Sequence, residues 1–448
     1  MRHQFQAWYL LPMMPLHALT VTDVADRIRS RELSPVAVVE ACLARIEQTE
    51  PLVGAWVFVD AAGALEAART MEAEARVGRL RGPLHGVPVG LKDIFDVAGM
   101  VTTSGAGAFA HRRPDRDSDA AARLRAAGAI IIGKTTTTEF AFSDPTHTRN
   151  PWNREHTPGG SSSGSAAAVA ARMIPLALGS QTIGSTLRPA AYCGIVGLKA
   201  THGVISAAGV TPLAWSLDHV GIFTRSVEDA ALVLTVLEDR RAAPRPLGGR
   251  PPRLGIPRGL FMDTAVPEVR AHLDAIATAF ASNGASVEDV PLPPSAADLR
   301  DAGRLVLRVE AAVYHASQFA VHAGSYRPGI RGLVEAGLKV SAVDYVRAQQ
   351  VRQQFREEMG PIFERFDALL MPVAPAPAPK GLDSTGDPVL CAPWSFGGFP
   401  AIALPSGLSE GGLPLAIQLV AGVHAEQRLL DVARWCKARL NFTAVPGL

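Results

Sequence analysis

The chain has 448 residues, of which 48% are hydrophobic and 19% charged, with a formal net charge of +2. That composition supplies a large buried core, and a near-neutral charge without any basic block excludes an electrostatic footprint for nucleic acid. No apolar run reaches the roughly 18 to 20 residues that a membrane-spanning helix needs, and Pro12 and Pro15 interrupt the apolar stretch behind Arg2 and His3, which argues against a signal peptide. Cys42, Cys193, Cys391 and Cys436 lie far apart with no CxxC pair, so reduced, buried thiols are expected rather than a zinc site. The expectation is a soluble, cytoplasmic protein.

Residues 1–18 read as a poorly ordered N-terminal extension, with regular folding from about Thr22. Ser34-Pro35 ahead of Val36, Val38 and Val39 reads as an N-cap with proline in the first turn of a helix running through Ile46. Gly86 to Asp93 alternates apolar and small residues, as a core strand ending in a polar tip does. Asp119 to Ala127 reads as a helix and Ala129 to Ile132 as a short buried strand. This helix-then-strand rhythm argues for α/β packing. The small residues from Ser165 to Arg172 suit a helix pressed against a sheet, and Ser226-Val227-Glu228-Asp229 starts another with a capping-box pattern.

The Arg/Pro/Gly-rich stretch Arg240 to Arg253 is the best linker candidate. Beyond it, Pro267 to Asn283 and Ala297 to Met359 have helical period, so residues 260–360 are expected to form a mainly helical lobe of a single domain spanning 19–445. Ala374 to Pro379 alternates Ala and Pro and reads as a stiff extended segment. Ala401 to Leu404 and Leu415 to Val420 read as two late strands around a turn at Gly411-Gly412.

Three motifs compete for the chemistry. Gly128 to Thr135 matches the P-loop pattern GxxxxGK[ST], but its variable positions are Ala-Ile-Ile-Ile, a strand where a phosphate cradle requires a loop. Gly160-Ser161-Ser162-Ser163-Gly164 matches GxSxG, but the residues before it, Asn153 to Pro158, are a polar loop rather than the strand of a nucleophile elbow; His202 and His219, with Asp218 or Asp229, would be its partners. The third reading joins Ser161, Ser185 and Lys92. A serine hydroxyl needs a base within hydrogen-bond reach, and a lysine serves only if desolvation keeps it neutral. Lys92, one of six lysines, follows Val87, Val89 and Leu91 on the predicted core strand. It can equally be read as pairing with Asp93 or another carboxylate at the strand end.

Gly159 to Ala168, the second serine within Gln181 to Pro189, and Gly90-Leu91-Lys92-Asp93 together resemble the amidase signature family of serine hydrolases. Ser161 and Ser185 lie 24 positions apart, the spacing of that family's two catalytic serines. Ala129 to Thr135, Thr211-Pro212 through Gly221, and the segments around Pro400 and Gly411 to Pro414 are similar to family elements too, so the resemblance extends from about Leu19 to Val432. It implies an α/β fold with a mixed β-sheet flanked by helices on both faces. It further implies that Ser185 attacks the carbonyl, that Ser161, following a cis peptide from Gly160, relays the proton, and that neutral Lys92 is the base. Backbone N–H groups of Thr182, Ile183, Gly184 and Ser185 would form the oxyanion hole.

Ile183 stands where the family usually has glycine, so its loop is expected to be either ordinary backbone or strained. Gln181 stands where many members, including the A subunits of amidotransferases, have Asp. With Arg188 three places after Ser185, the local pattern is most similar to malonamidase-like enzymes. A guanidinium there can grip a substrate carboxylate bidentately or cap loop carbonyls, and the Thr182 hydroxyl would add a donor beside it. Trp394, Phe396 and Phe399 would wall the acyl pocket or pack the core. The expected function is hydrolysis of a linear carboxamide, with a small carboxylate-bearing amide as substrate, through an acyl-enzyme. The alternative is the A subunit of a glutamine-dependent tRNA amidotransferase. The implied partner is a small-molecule amide, with no metal, cofactor, nucleic acid or membrane, and a homodimer is compatible with the apolar surface.

Overall fold

A computed structural model describes residues 15–238 and 246–448. Its described strands are β1 (Trp56–Val59), β2 (Pro88–Lys92), β3 (Ile130–Thr135), β4 (Leu176–Gln181), β5 (Val196–Lys199), β6 (His219–Thr224), β7 (Arg253–Pro257), β8 (Ser286–Val290), β9 (Ala368–Pro372), β10 (Ala401–Leu408) and β11 (Pro414–Val420). They form one mixed sheet in the order β1-β3-β2-β4-β6-β5-β10-β11-β9-β7-β8. The fold is therefore the α/β class with helices on both faces of a mixed sheet. Strand β2 lies parallel to both β3 and β4, whereas β4, β6, β5, β10, β11 and β9 pair antiparallel in succession. Every residue of β2 through β6 is buried. Strands covered on both faces lose the apolar/polar alternation of a half-exposed sheet, so polar residues within them are conspicuous.

The helix starts follow their caps. Ser34 Oγ accepts from Val36 N and Ala37 N at the head of Pro35–Val53, which closes on Gly54 at φ 65°. Ser226 Oγ accepts from Asp229 N, and Asp229 Oδ1 accepts in turn from Thr22 N and Thr22 Oγ1, docking the helix Val21–Arg29. Regular structure begins with the 3-10 turn Leu16–Ala18 rather than near Thr22; residues 1–14 lie outside those described. So does part of the expected linker, residues 239–245.

The expected strand at Ala129–Ile132 is Ile130–Thr135, which puts all but the first two residues of the P-loop-like pattern into a buried strand. Residues 260–360 hold the helices Pro267–Ser282, Leu299–His322, Pro328–Gly337 and Ala342–Arg365. They also hold β8, which adds a parallel edge strand beside β7. The two late strands pair across the turn at Gly412, φ 74°. The serine-rich run becomes the helix Ser163–Ala170, buried at every position.

Small residues there are a packing requirement. A Cβ on Gly164 would lie 2.2 Å from Ala55 O and 2.4 Å from Thr136 N, backbone atoms with no rotamer to yield. Gly164→Ala is therefore expected to destabilise the protein by about 3 kcal/mol or more, read as a lowered melting midpoint or loss of soluble protein.

Candidate active site

Two parallel strands bring the polar groups together. Lys92 ends β2, Ser180 lies on neighbouring β4, and Ser161 sits in the turn that enters the helix Ser163–Ala170. Lys92 Nζ donates to Ser161 Oγ at 2.7 Å and to Ser180 Oγ at 2.8 Å, and the lysine is 0% exposed. Burial holds its pKa well below 10.5, with the Asp218 carboxylate opposing that shift from a distance. The amine thus lies in a neutral, hydroxyl-lined environment. The carboxylate pairing left open for Lys92 goes elsewhere: Asp93 Oδ1 meets Lys134 Nζ at 3.0 Å, both fully buried. Sequence reasoning misses Ser180, because a lone serine near the end of an apolar strand gives no signal until β2 and β4 are paired.

The Gly160–Ser161 peptide is cis, as expected from the resemblance. The other serines of the run are tied to backbone: Ser162 Oγ to Ser180 O and Ser180 N, Ser163 Oγ to Gly159 O, and Ser165 Oγ to Leu178 O. Neither histidine reaches Ser162. His219 Nδ1 lies 3.2 Å from Gln181 O, and His202 Nε2 lies 3.2 Å from Trp215 O. The GxSxG reading therefore has no base.

Ser185 lies on the turn between β4 and the short helix Leu187–Tyr192, 8% exposed, on a cavity of about 470 Å³. Among the described residues, none accepts a backbone hydrogen bond from the N–H of Thr182, Ile183, Gly184 or Ser185. Ile183 is absent from the residues with positive φ, so the first of its two expectations holds and its backbone is ordinary. The turn is instead held through Gln181. Its Oε1 accepts from Thr186 N and Leu187 N, both at 2.9 Å, and its Nε2 donates to Ser395 Oγ, which donates to Ile183 O. A carboxamide both accepts and donates, and this position uses both capacities.

The geometry shows which partners two expected substrate contacts already have. The Thr182 hydroxyl donates to Asp218 Oδ1 at 2.5 Å, so its proton is already committed although the residue lines the cavity. Arg188 is buried, and its guanidinium donates to Gly386 O and Gly160 O, both at 2.7 Å, and to Thr385 Oγ1 at 3.2 Å. Of the two roles weighed for it, the structure favours the capping of loop carbonyls, although its edge still lines the cavity. The aromatic trio also divides. Phe396 lines the cavity, while Trp394 and Phe399 pack with Phe355 in the core.

Asp218 is a half-buried acid that receives Thr182 Oγ1, Leu213 N and Ala214 N, with its pKa raised by desolvation to about 6. The described residues contain no cluster of metal-ligating side chains, and all four cysteines are unpaired and buried. No described helix is long and apolar enough to cross a membrane.

An α/β fold with a buried lysine hydrogen-bonded to a cis-linked serine, and with a second serine on a cavity, points to the class of serine hydrolases. The comparisons with known proteins make that class specific. The family model described as Amidase matches residues 37–430, and the chain belongs to this family, the amidase signature enzymes. It is 38% identical over 430 residues to a Pseudomonas putida protein named amidase, covering 90% of this chain and 92% of that one. It is 36% identical over 472 residues to a Roseiflexus castenholzii protein named as the A subunit of glutamyl-tRNA(Gln) amidotransferase, covering 94% and 95%. It superposes on the peptide amidase of Stenotrophomonas maltophilia with a TM-score of 0.82 at 30% identity, covering 96% and 99%.

The electrostatics predict two outcomes. Lys92→Met keeps length and apolar packing but removes the amine, so activity is expected to fall about 10²- to 10⁴-fold while the melting midpoint drops by no more than about 3 °C, on the order of 1 kcal/mol. Since only a neutral amine can accept a proton, the rate rises with pH through the Lys92 pKa, below 10.5. The Asp218 carboxylate raises that pKa. Asp218→Asn should therefore move the acid limb of the kcat/KM profile to lower pH; a limb that stays or moves upward contradicts the assignment.

Proposed function

We propose that this protein hydrolyses a linear carboxamide to carboxylate and ammonia or amine through an acyl-enzyme on Ser185. The observation that supports this most directly is the 2.7 Å hydrogen bond from Lys92 Nζ to Ser161 Oγ in a fully buried setting. Ser185 Oγ attacks the carbonyl carbon and passes its proton to Ser161, whose own proton moves to Lys92. The developing oxyanion is received by backbone N–H groups of the 182–185 turn, where one such donor is worth about 2.7 to 4 kcal/mol of barrier. Collapse of the tetrahedral intermediate breaks the C–N bond, and the relay run in reverse protonates the departing nitrogen. Water then attacks the Ser185 ester by the same route and restores the enzyme.

In this scheme Arg188 is a positioning residue. Its bond to Gly160 O supports the turn carrying Ser161, and Gln181 supports the turn carrying Ser185.

The relatives' names favour a second reading over the small acid amide: the A subunit of an amidotransferase, in which the same chemistry releases ammonia from glutamine within a complex acting on charged tRNA. Both readings use the same serine and lysine and differ in where ammonia goes. Glutaminase activity that depends on co-purifying partner chains would select the second; turnover of simple amides by the isolated chain selects the first.

A serine-directed fluorophosphonate tests the mechanism common to both. Wild type is expected to label at Ser185, with fluoride leaving phosphorus, while Ser185→Ala does not label and Lys92→Ala labels at least about a hundredfold more slowly. Full-rate labelling of Lys92→Ala would sink the relay.

A further inference from the structure

The cavity at Ser185 has a second chemically distinct side. The helix Leu299–His322 presents Arg300, Arg304 and Arg308 to it, one every four residues and hence on one face. The row spans about 12 Å at 1.5 Å per residue. All three are exposed, and among the described residues none supplies them with a hydrogen bond or ion pair. Asp387 is the one acid among the lining residues. The other acids of that helix are turned away: Glu310 is buried, accepting from Ser216 N and Tyr345 Oη, and Asp301 does not line the cavity.

The row is firmly placed. Gly337 of the helix Pro328–Gly337 abuts it so closely that a Cβ there would lie 1.9 Å from Arg308 O. The same cavity has an apolar wall that includes Leu213, Leu217, Leu307, Leu333 and Phe396. Three unpaired guanidinium groups converging on one cavity repel each other unless an anion joins them, and a guanidinium is suited to carboxylate in a two-pronged grip.

We propose that this row, rather than Arg188, is the acid-recognition element, and that the substrate is an amide with a carboxylate several methylenes from the scissile bond. This rests on the hydrolytic reading of Ser185. One cavity lined by the serine, by apolar side chains and by the arginines suits an amide head, an apolar spacer and an anionic tail. A malonamate-like molecule, with one methylene between its two ends, would leave most of about 470 Å³ unfilled. A zwitterion such as glutamine would place its ammonium group among cations, with only Asp387 to offset them.

The test pairs adipamate with hexanamide, which share a chain and differ in the terminal carboxylate, alongside malonamate and glutamine. In wild type, kcat/KM is expected to favour adipamate over hexanamide, malonamate and glutamine, by at least about tenfold for hexanamide. In Arg304→Gln/Arg308→Gln the adipamate-to-hexanamide ratio should fall at least about tenfold, mainly through KM. An unchanged ratio, or a preference for malonamate or glutamine, overturns the proposal. A separate calorimetric titration with adipate keeps it testable if the hydrolytic reading itself fails. Adipate should bind wild type and Ser185→Ala alike and at least about tenfold more weakly to the double arginine variant; equal affinity, or no binding to wild type, rejects the row whatever becomes of the serine.

Discussion

The structure depends on a lysine buried without a counter-ion. A charged ammonium in that position would be costly, and burial between two hydroxyls holds the pKa of the amine well below its ordinary value. The condition is that no carboxylate come close. Asp93 follows Lys92 directly in the chain, yet it is claimed by Lys134 from adjacent β3. Strands β2 and β3 run parallel with Lys92 opposite Thr135 and Leu91 opposite Lys134. Successive side chains on a strand point to opposite faces, so the neighbouring acid and the buried base serve different partners. The lysine of the P-loop-like pattern thus has a structural use: it pairs with the carboxylate that follows Lys92 in the chain.

Around this centre the protein holds its turns with neutral groups. Gln181 closes the turn at Ser185 with both ends of its carboxamide, and Ser395 extends the chain to the carbonyl of Ile183. An aspartate at 181 could accept from the same two N–H groups but could not donate to Ser395, and its charge would favour protonation of the nearby lysine. Arg188 supplies a cation whose two terminal nitrogens donate to the carbonyls of Gly386 and Gly160 and to Thr385 Oγ1, while its buried Nε has no partner among the described residues. Arg188 is thus a buried cation tied to the turn that carries Ser161, whereas Arg300, Arg304 and Arg308 are exposed on a different helix.

The relation to relatives is consistent with that division. Membership of the amidase family rests on a match spanning residues 37–430, which takes in the lysine, both serines and the sheet that positions them. The relatives' names differ in substrate while the architecture is shared. In this chain the arginine row lies outside the motifs that carry the resemblance, on a helix whose sequence reads simply as amphipathic.

Much of the fold was legible because local rules were obeyed: caps at Ser34 and Ser226, a run of small residues at Ser163–Ala170, and apolar strands at β2 and β3. The spacing of two serines and the setting of one lysine carried the family resemblance that nominated Lys92, Ser161 and Ser185 together, while the residues by themselves left Lys92 open to a carboxylate pairing. The sequence did not disclose Ser180 as the second acceptor for the lysine, the commitment of Thr182 to Asp218, or the task of Arg188. Nor did it distinguish Arg300, Arg304 and Arg308 from any solvated helix face. Residue types and short spacings determined the chemistry available to this protein. Which hydroxyl, carbonyl or cation meets which was decided only when segments up to about two hundred residues apart, such as Gln181 and Ser395, were brought within hydrogen-bond distance, because polar partnerships in a buried site are set by sheet order and packing rather than by neighbourhood in the chain.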